Sequence, residues 1–120
     1  MISVSLSEIP FDINNEDTWT EGMIPVARLF YYLVEDLMSK SLIGESEVES
    51  LKSKEYTKGL FQATDYPAFA NSRSDNMGNS TQKRYRAKPI NYAGKDVYVS
   101  TQFFDSDRDS VIEWYKNHLS

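Results

Sequence analysis

The pattern of hydrophobic and polar positions predicts one long amphipathic helix over residues 25–41. The apolar residues of this segment recur at steps of three and four, which places them on one face of a helix. Pro25 suits the first helical turn, where its missing N–H has no bond to lose. Gly44 marks a stop. The apolar stripe consists of Val26, Leu29, Phe30, Leu33, Val34, Leu37 and Met38.

Two short helices are predicted after the long one. Ser46 followed by Glu49 fits a capping box, which predicts a helix over 46–52. Ser53 is placed to cap a further helix that runs from Lys54 to Gln62.

The next pattern is an alternation that predicts a β-hairpin. Residues 84–90 and 95–103 read as two strands joined through 91–94, after a polar loop over 71–81. In the second strand Val97 and Val99 share one face, while Tyr98 and Ser100 share the other. Pro89 indicates that the first strand lies at a sheet edge or ends there.

A closing helix is predicted from Asp105 to the end of the chain. Aspartates are favoured in its first turn because a helix N-terminus carries partial positive charge. The residues expected to pack inward are Val111, Ile112, Tyr115 and Leu119, with Trp114 at the boundary.

The first 24 residues form a separate segment in this interpretation. Alternation over 1–6 predicts a short strand, and a polar arm follows. We expect the arm to dock on the domain or on a partner subunit through Ile9, Phe11, Ile13 and Trp19. The predicted division is therefore an N-terminal strand and arm over 1–24 and one domain over 25–120, a usual size for a domain.

Charge divides unevenly along the chain, although the total is -5. Residues 1–53 carry ten acids and three bases, and residues 105–120 carry four acids and two bases. Residues 54–104 instead carry eight bases and four acids. Such asymmetry bears on the choice of partner.

The basic residues of the middle segment are the candidate functional residues. In a regular strand Arg84, Arg86 and Lys88 share one face and can follow a phosphate backbone. Tyr85 and Tyr92 lie beside them and are candidates for base stacking. The alternatives are a solvated edge strand protected by its charge and contact with an acidic protein. The candidate nucleic-acid contacts are Lys54, Lys58, Lys83, Arg84, Arg86, Lys88 and Lys95.

The order of these elements over 25–119 resembles a winged helix-turn-helix domain, with the hairpin as the wing. The resemblance is one of architecture and rests on no diagnostic motif. It implies an α+β domain whose recognition helix would be the segment from Lys54 to Gln62. Two lysines on that helix suit phosphates better than base edges.

Several other classes of function find no support in the sequence. Cysteine is absent, which excludes disulfides, thiolate metal sites and a cysteine nucleophile. Common nucleotide-binding, hydrolase and calcium-binding motifs are also missing, so we predict no enzyme activity and no cofactor. His118, the single histidine, is expected to lie in solvent at a helix end. No apolar run is long enough to span a membrane, and no secretory signal is recognisable, which favours the cytoplasm.

The sequence therefore predicts a small regulatory or accessory protein that contacts nucleic acid phosphates through a basic wing. The alternative is a protein-interaction module, in which the acidic arm and the domain surface dock a partner or a second copy of the chain.

Overall fold

The fold is α+β, as predicted. The computed structural model describes residues 24–77 and 81–119, and these contain four α-helices and one three-stranded antiparallel sheet. The strand predicted over 1–6 and the arm residues Ile9, Phe11, Ile13 and Trp19 lie outside the described residues. In chain order the elements are α1 (Val26–Ser39), α2 (Glu45–Ser50), α3 (Lys54–Phe61), β1 (Phe69–Ala70), β2 (Ile90–Tyr92), β3 (Lys95–Val99), a 3₁₀ turn (Asp105–Asp107) and α4 (Arg108–Asn117).

Helix α1 is the centre of the core. All seven residues of its predicted stripe are buried, and Tyr31 joins them. The helix ends at Ser39 with Lys40 as its C-cap, and Ser41 follows with a φ of 56°, which turns the chain away. Gly44 does not end this helix as predicted, because it is the N-cap residue of α2.

The starts of α2 and α3 differ in how well the sequence predicted them. Helix α2 begins at Glu45 rather than at a Ser46 capping box, and no side chain caps it. Ile43 is buried just before this start, and Gly44 has the extended backbone of an N-cap residue, so the helix begins one residue earlier than predicted. Ser53 does cap α3, where its Oγ accepts a hydrogen bond from the Tyr56 N–H at 3.4 Å.

The sheet has the strand order β1-β3-β2, so β3 is central. The predicted hairpin is present, but its turn contains two residues rather than four. Asn91 pairs with Asp96 and Tyr92 with Lys95, which leaves Ala93 and Gly94 as the turn. Their φ values of 53° and 81° fit a type I′ turn, whose twist matches that of the flanking strands.

The first strand of the predicted hairpin is interrupted. Tyr85 forms an isolated bridge with Ser100, and regular pairing resumes only at Ile90 opposite Val97. Residues 86–89 thus lie opposite only residues 98 and 99, as in a bulge. The predicted alternation of basic side chains along a regular strand is therefore wrong. Pro89 has no N–H to donate, consistent with the break.

An aromatic cluster joins the helices to the sheet. The Phe30 ring of α1 lies within 4.5–6.0 Å, centroid to centroid, of four other rings. These belong to Phe61, Phe69, Phe103 and Trp114. Trp114 is buried rather than at the boundary, whereas Leu119 is 47% exposed, contrary to its predicted inward position. Helix α4 ends at Asn117, two residues before Leu119.

Candidate nucleic-acid interface

The candidate basic residues before β2 lie along one edge of the sheet. Backbone bonds attach this segment to the chain around the end of β3: Arg86 N–H donates to Val99 O, and Thr101 N–H donates to Arg84 O, both at 3.0 Å. Between them Tyr85 is buried and anchors the segment to the core. We call Lys83, Arg84, Arg86 and Lys88 the basic edge.

Tyr85 is an anchor and not a stacking platform. Its hydroxyl donates to Pro67 O at 3.0 Å and accepts from the Asn76 amide at 2.8 Å. Burial of the phenol raises the pKa of Tyr85 to about 12. Tyr92, the other stacking candidate, is tied down through its hydroxyl, which donates to Ile43 O at 2.6 Å.

Arg84 covers the face of a tyrosine ring. Its guanidinium carbon lies 4.7 Å from the centroid of Tyr66, a cation–π distance. Its Nη1 also donates to the side-chain oxygens of Gln82 and Gln102, at 3.2 and 3.3 Å. The guanidinium is thus held by a ring and two neutral amides.

Arg86 also covers a tyrosine ring, that of Tyr31 on helix α1. Its guanidinium carbon lies 4.6 Å from the centroid of Tyr31. Burial raises the pKa of the Tyr31 phenol, Glu35 adds to the increase, and the positive charge of Arg86 opposes it. The Nε atoms of Arg84 and Arg86 are both buried and have no hydrogen-bond partner among the described residues. Both side chains are part-buried, so they are not the freely exposed strand cations that the sequence suggested.

The two lysines of the basic edge are exposed. Lys83 Nζ lies 3.7 Å from the sulfur of Met77. No carboxylate among the described residues forms a salt bridge with Lys83, Lys88, Arg84 or Arg86. The four cations of the basic edge therefore have no ion-pair partner among the described residues.

Helix α3 contributes Lys54 and Lys58 close to the same edge. Lys58 Nζ contacts Asp65 Oδ1 at 2.9 Å and lowers the pKa of that carboxyl. It also donates to the carbonyl oxygens of Gln62 and Thr64. Lys54 is exposed and adds a smaller lowering effect on the same carboxyl. Because Asp65 is followed by Tyr66, which Arg84 covers, the end of α3 lies next to the basic edge.

Lys95 points to a different part of the molecule. Its Nζ lies 3.9 Å from Glu49 Oε1 of α2. Lys52 donates to the same oxygen at 2.9 Å, and this bond is the main reason why the pKa of Glu49 is lowered. Lys58 and Arg84 thus contact the neighbouring residues Asp65 and Tyr66, while Lys95 belongs to the contact between the hairpin and α2.

His118 has a structural role that spacing did not reveal. Its Nε2 lies 2.7 Å from Glu47 Oε2, and its Nδ1 lies 2.8 Å from Trp114 O. The Trp114 indole N–H donates to the same glutamate at 3.2 Å. The predicted exposed position of His118 is wrong, since 15% of its side chain is accessible. These contacts fasten the end of α4 to α2.

The comparisons with known proteins give no relative. No family model, curated protein or solved structure matches the chain.

Among the described residues, no group of three or more His, Asp or Glu side chains is arranged to hold a metal ion. Over the same residues, no helix has the length and apolar character needed to cross a membrane.

Proposed function

We propose that the protein binds nucleic acid through the basic edge, with Lys54 and Lys58 of α3 beside it. The proposal rests on the positions and contacts of the two arginines of the basic edge. Arg84 and Arg86 lie on tyrosine rings at 4.7 and 4.6 Å and form no ion pair with a described carboxylate. A cation held on a ring keeps its charge and loses less side-chain freedom when it meets a phosphate.

The local composition supports an anionic partner. Residues 76–95 contain five bases and no acid, although the whole chain carries a net charge of -5. Five residue steps from Lys83 to Lys88 span at most about 17 Å, roughly half a turn of duplex DNA. Lysine and arginine contacts of this kind position a protein on phosphates and read no sequence.

The binding should therefore be non-specific and strongly salt-dependent. The hairpin β2–β3 follows α3 as a wing would, and the winged-helix resemblance stays a prediction. A cytoplasmic location and the lack of enzyme activity stay predictions as well.

A protein-interaction module is the second candidate. Its support is the set of large apolar side chains that are exposed on the described surface. These are Leu42, Tyr56, Phe104 and Leu119, exposed by 39%, 42%, 54% and 47%. A partner of this kind would bind by burying apolar area, and its affinity would depend much less on salt.

The proposal is tested by fluorescence anisotropy with random duplex and single-stranded DNA across a salt series. The informative variant is Lys83→Gln with Lys88→Gln, because both lysines are exposed and their exchange should leave stability nearly unchanged. Loss of two phosphate contacts should weaken duplex binding and reduce the salt slope by about two units.

A matched control removes the same charge elsewhere. Lys40→Gln with Lys116→Gln replaces two exposed lysines, one just after α1 and one in α4. This variant should leave the salt dependence of duplex binding unchanged. Absence of binding by the wild-type protein to either DNA at low salt refutes the proposal. Equal effects of the two double variants refute the assignment to the basic edge.

A further inference from the structure

Arg84 and Arg86 point to the same side of the sheet edge. The backbone bonds of both residues to the chain around the end of β3 keep this short stretch in antiparallel register. Residues two apart in such a stretch share a side, and their Cα atoms lie about 7 Å apart. Tyr85 between them is buried and occupies the opposite side. The two arginine side chains are therefore neighbours.

Each guanidinium covers a tyrosine ring from another part of the fold. Arg84 Cζ lies 4.7 Å from the centroid of Tyr66, and Arg86 Cζ lies 4.6 Å from the centroid of Tyr31. Tyr31 belongs to the core, so it is a fixed support beneath Arg86. Both cations are thus positioned in advance and lose little side-chain freedom when a ligand binds.

The hydrogen-bonding edges of these groups are partly used within the protein. Both Nε atoms are buried, and Arg84 Nη1 donates to the side-chain oxygens of Gln82 and Gln102 at 3.2 and 3.3 Å. Both side chains are nevertheless part-exposed. Because a ring covers one face of each guanidinium, the opposite face is the surface that remains for a ligand.

A flat cationic face matches the face of an unpaired nucleic-acid base. Unstacked bases of single strands stack on arginine guanidinium planes, whereas a duplex offers only the edges of its bases in its grooves. Lys83 and Lys88 are exposed at the two ends of the basic edge, where they remain available for phosphates.

We infer that the basic edge prefers single-stranded nucleic acid, with one unpaired base stacked on Arg84 and a second on Arg86. The inference rests on the proposed function: it keeps the lysine contacts to phosphates and adds contacts that a duplex cannot make. Stacking is tolerant of base identity, because every base has a flat face, so the binding still reads no sequence.

The test is fluorescence anisotropy of the full chain with ligands of equal length, about 16 nucleotides. They are oligo(dT), a strand of abasic sites with the same phosphates, and a random duplex. A stacked base contributes about fivefold in affinity, so oligo(dT) should bind about 25-fold more tightly than the abasic strand. It should also bind more tightly than the duplex. Oligo(U) tells RNA from DNA, and stacking predicts the same advantage over the abasic strand.

Two double variants separate stacking from charge. Arg84→Lys with Arg86→Lys keeps both charges and removes both planes, so oligo(dT) should bind only as tightly as the abasic strand, with an unchanged salt slope. Lys83→Gln with Lys88→Gln should instead weaken both strands by the same factor. Arg84→Lys alone, a milder change to the fold, should leave an advantage of about fivefold for oligo(dT).

The outcomes distinguish this inference from the proposed function. If the wild type binds the abasic strand or the duplex as tightly as oligo(dT), the stacking inference is wrong and phosphate binding stands. This comparison uses the wild type alone, so it does not depend on the folding of any variant. If the wild type binds none of the ligands at low salt, the proposed function is refuted and the inference with it.

Discussion

Removal of the Asp107 carboxylate should be among the most damaging single changes in the described part of the protein. Asp107 is fully buried. Its Oδ1 accepts from Ala63 N–H and its Oδ2 from Phe104 N–H, each at 3.0 Å. One side chain therefore joins the segment after α3 to the start of the 3₁₀ turn that leads into α4.

The magnitude follows from these two bonds. A hydrogen bond to a charged group contributes about 1.5–3 kcal/mol, and a buried donor left without a partner has a cost of similar size. Ala63 N–H also donates to Phe61 O at 2.9 Å, so the loss of its bond to Asp107 is partly offset. We therefore expect Asp107→Ala to lower the free energy of unfolding by about 2–4 kcal/mol. That is a large share of the roughly 5–15 kcal/mol typical of a domain.

Urea denaturation followed by tryptophan fluorescence and circular dichroism measures this loss. Asp107→Asn keeps one acceptor oxygen and should lose less. The matched control is Asp105→Ala, which removes a side chain that is 94% exposed and lies 3.6 Å from Arg108. That control should stay within about 0.5 kcal/mol of the wild type. Equal stability of Asp107→Ala and Asp105→Ala would refute the reasoning.

Three further changes test other parts of the fold. Ala93 has a φ of 53° in the hairpin turn, so Ala93→Asn should stabilise the protein by about 0.5 kcal/mol in urea denaturation; destabilisation would contradict the type I′ assignment. Because the pKa of Tyr85 is raised from 10.0 to about 12, unfolding free energy should fall as pH rises from about 10 to 12. Tyr85→Phe should make the decrease in unfolding free energy between pH 10 and 12 smaller. A pH profile identical to that of the wild type would contradict this prediction. Glu47→Ala should lower the free energy of unfolding by about 1–2 kcal/mol, because Trp114 and His118 lose their contact with this carboxylate. The exposed control Glu113→Ala should leave the free energy of unfolding unchanged. Equal losses in the two variants would show that the Glu47 contacts do not stabilise the fold.

The sequence by itself determined the elements whose cause is local. The three- and four-residue spacing in α1 places its apolar stripe on one face, and all of that stripe is buried. Ser53 caps α3 because its side chain reaches an N–H only three residues away. The alternation around Val97 and Val99 likewise predicted β3 and its inward face.

Errors at the boundaries also have a physical origin. The Ser46 capping box was wrong, since α2 begins at Glu45 with Gly44 as its N-cap, directly after the buried Ile43. Leu119 continues the spacing of α4 but lies beyond the end of the helix. Periodicity reports which residues share a face and does not report where the neighbouring elements stop covering it.

Only the tertiary structure decided what the polar residues contact. The sequence identified a run of cations, whereas packing placed Arg84 on Tyr66, Arg86 on Tyr31 and Lys95 beside Glu49. In the same way His118 contacts Glu47, 71 residues away. Side-chain spacing within one element carries no information about such partners, because they meet only when separate elements pack around a common core.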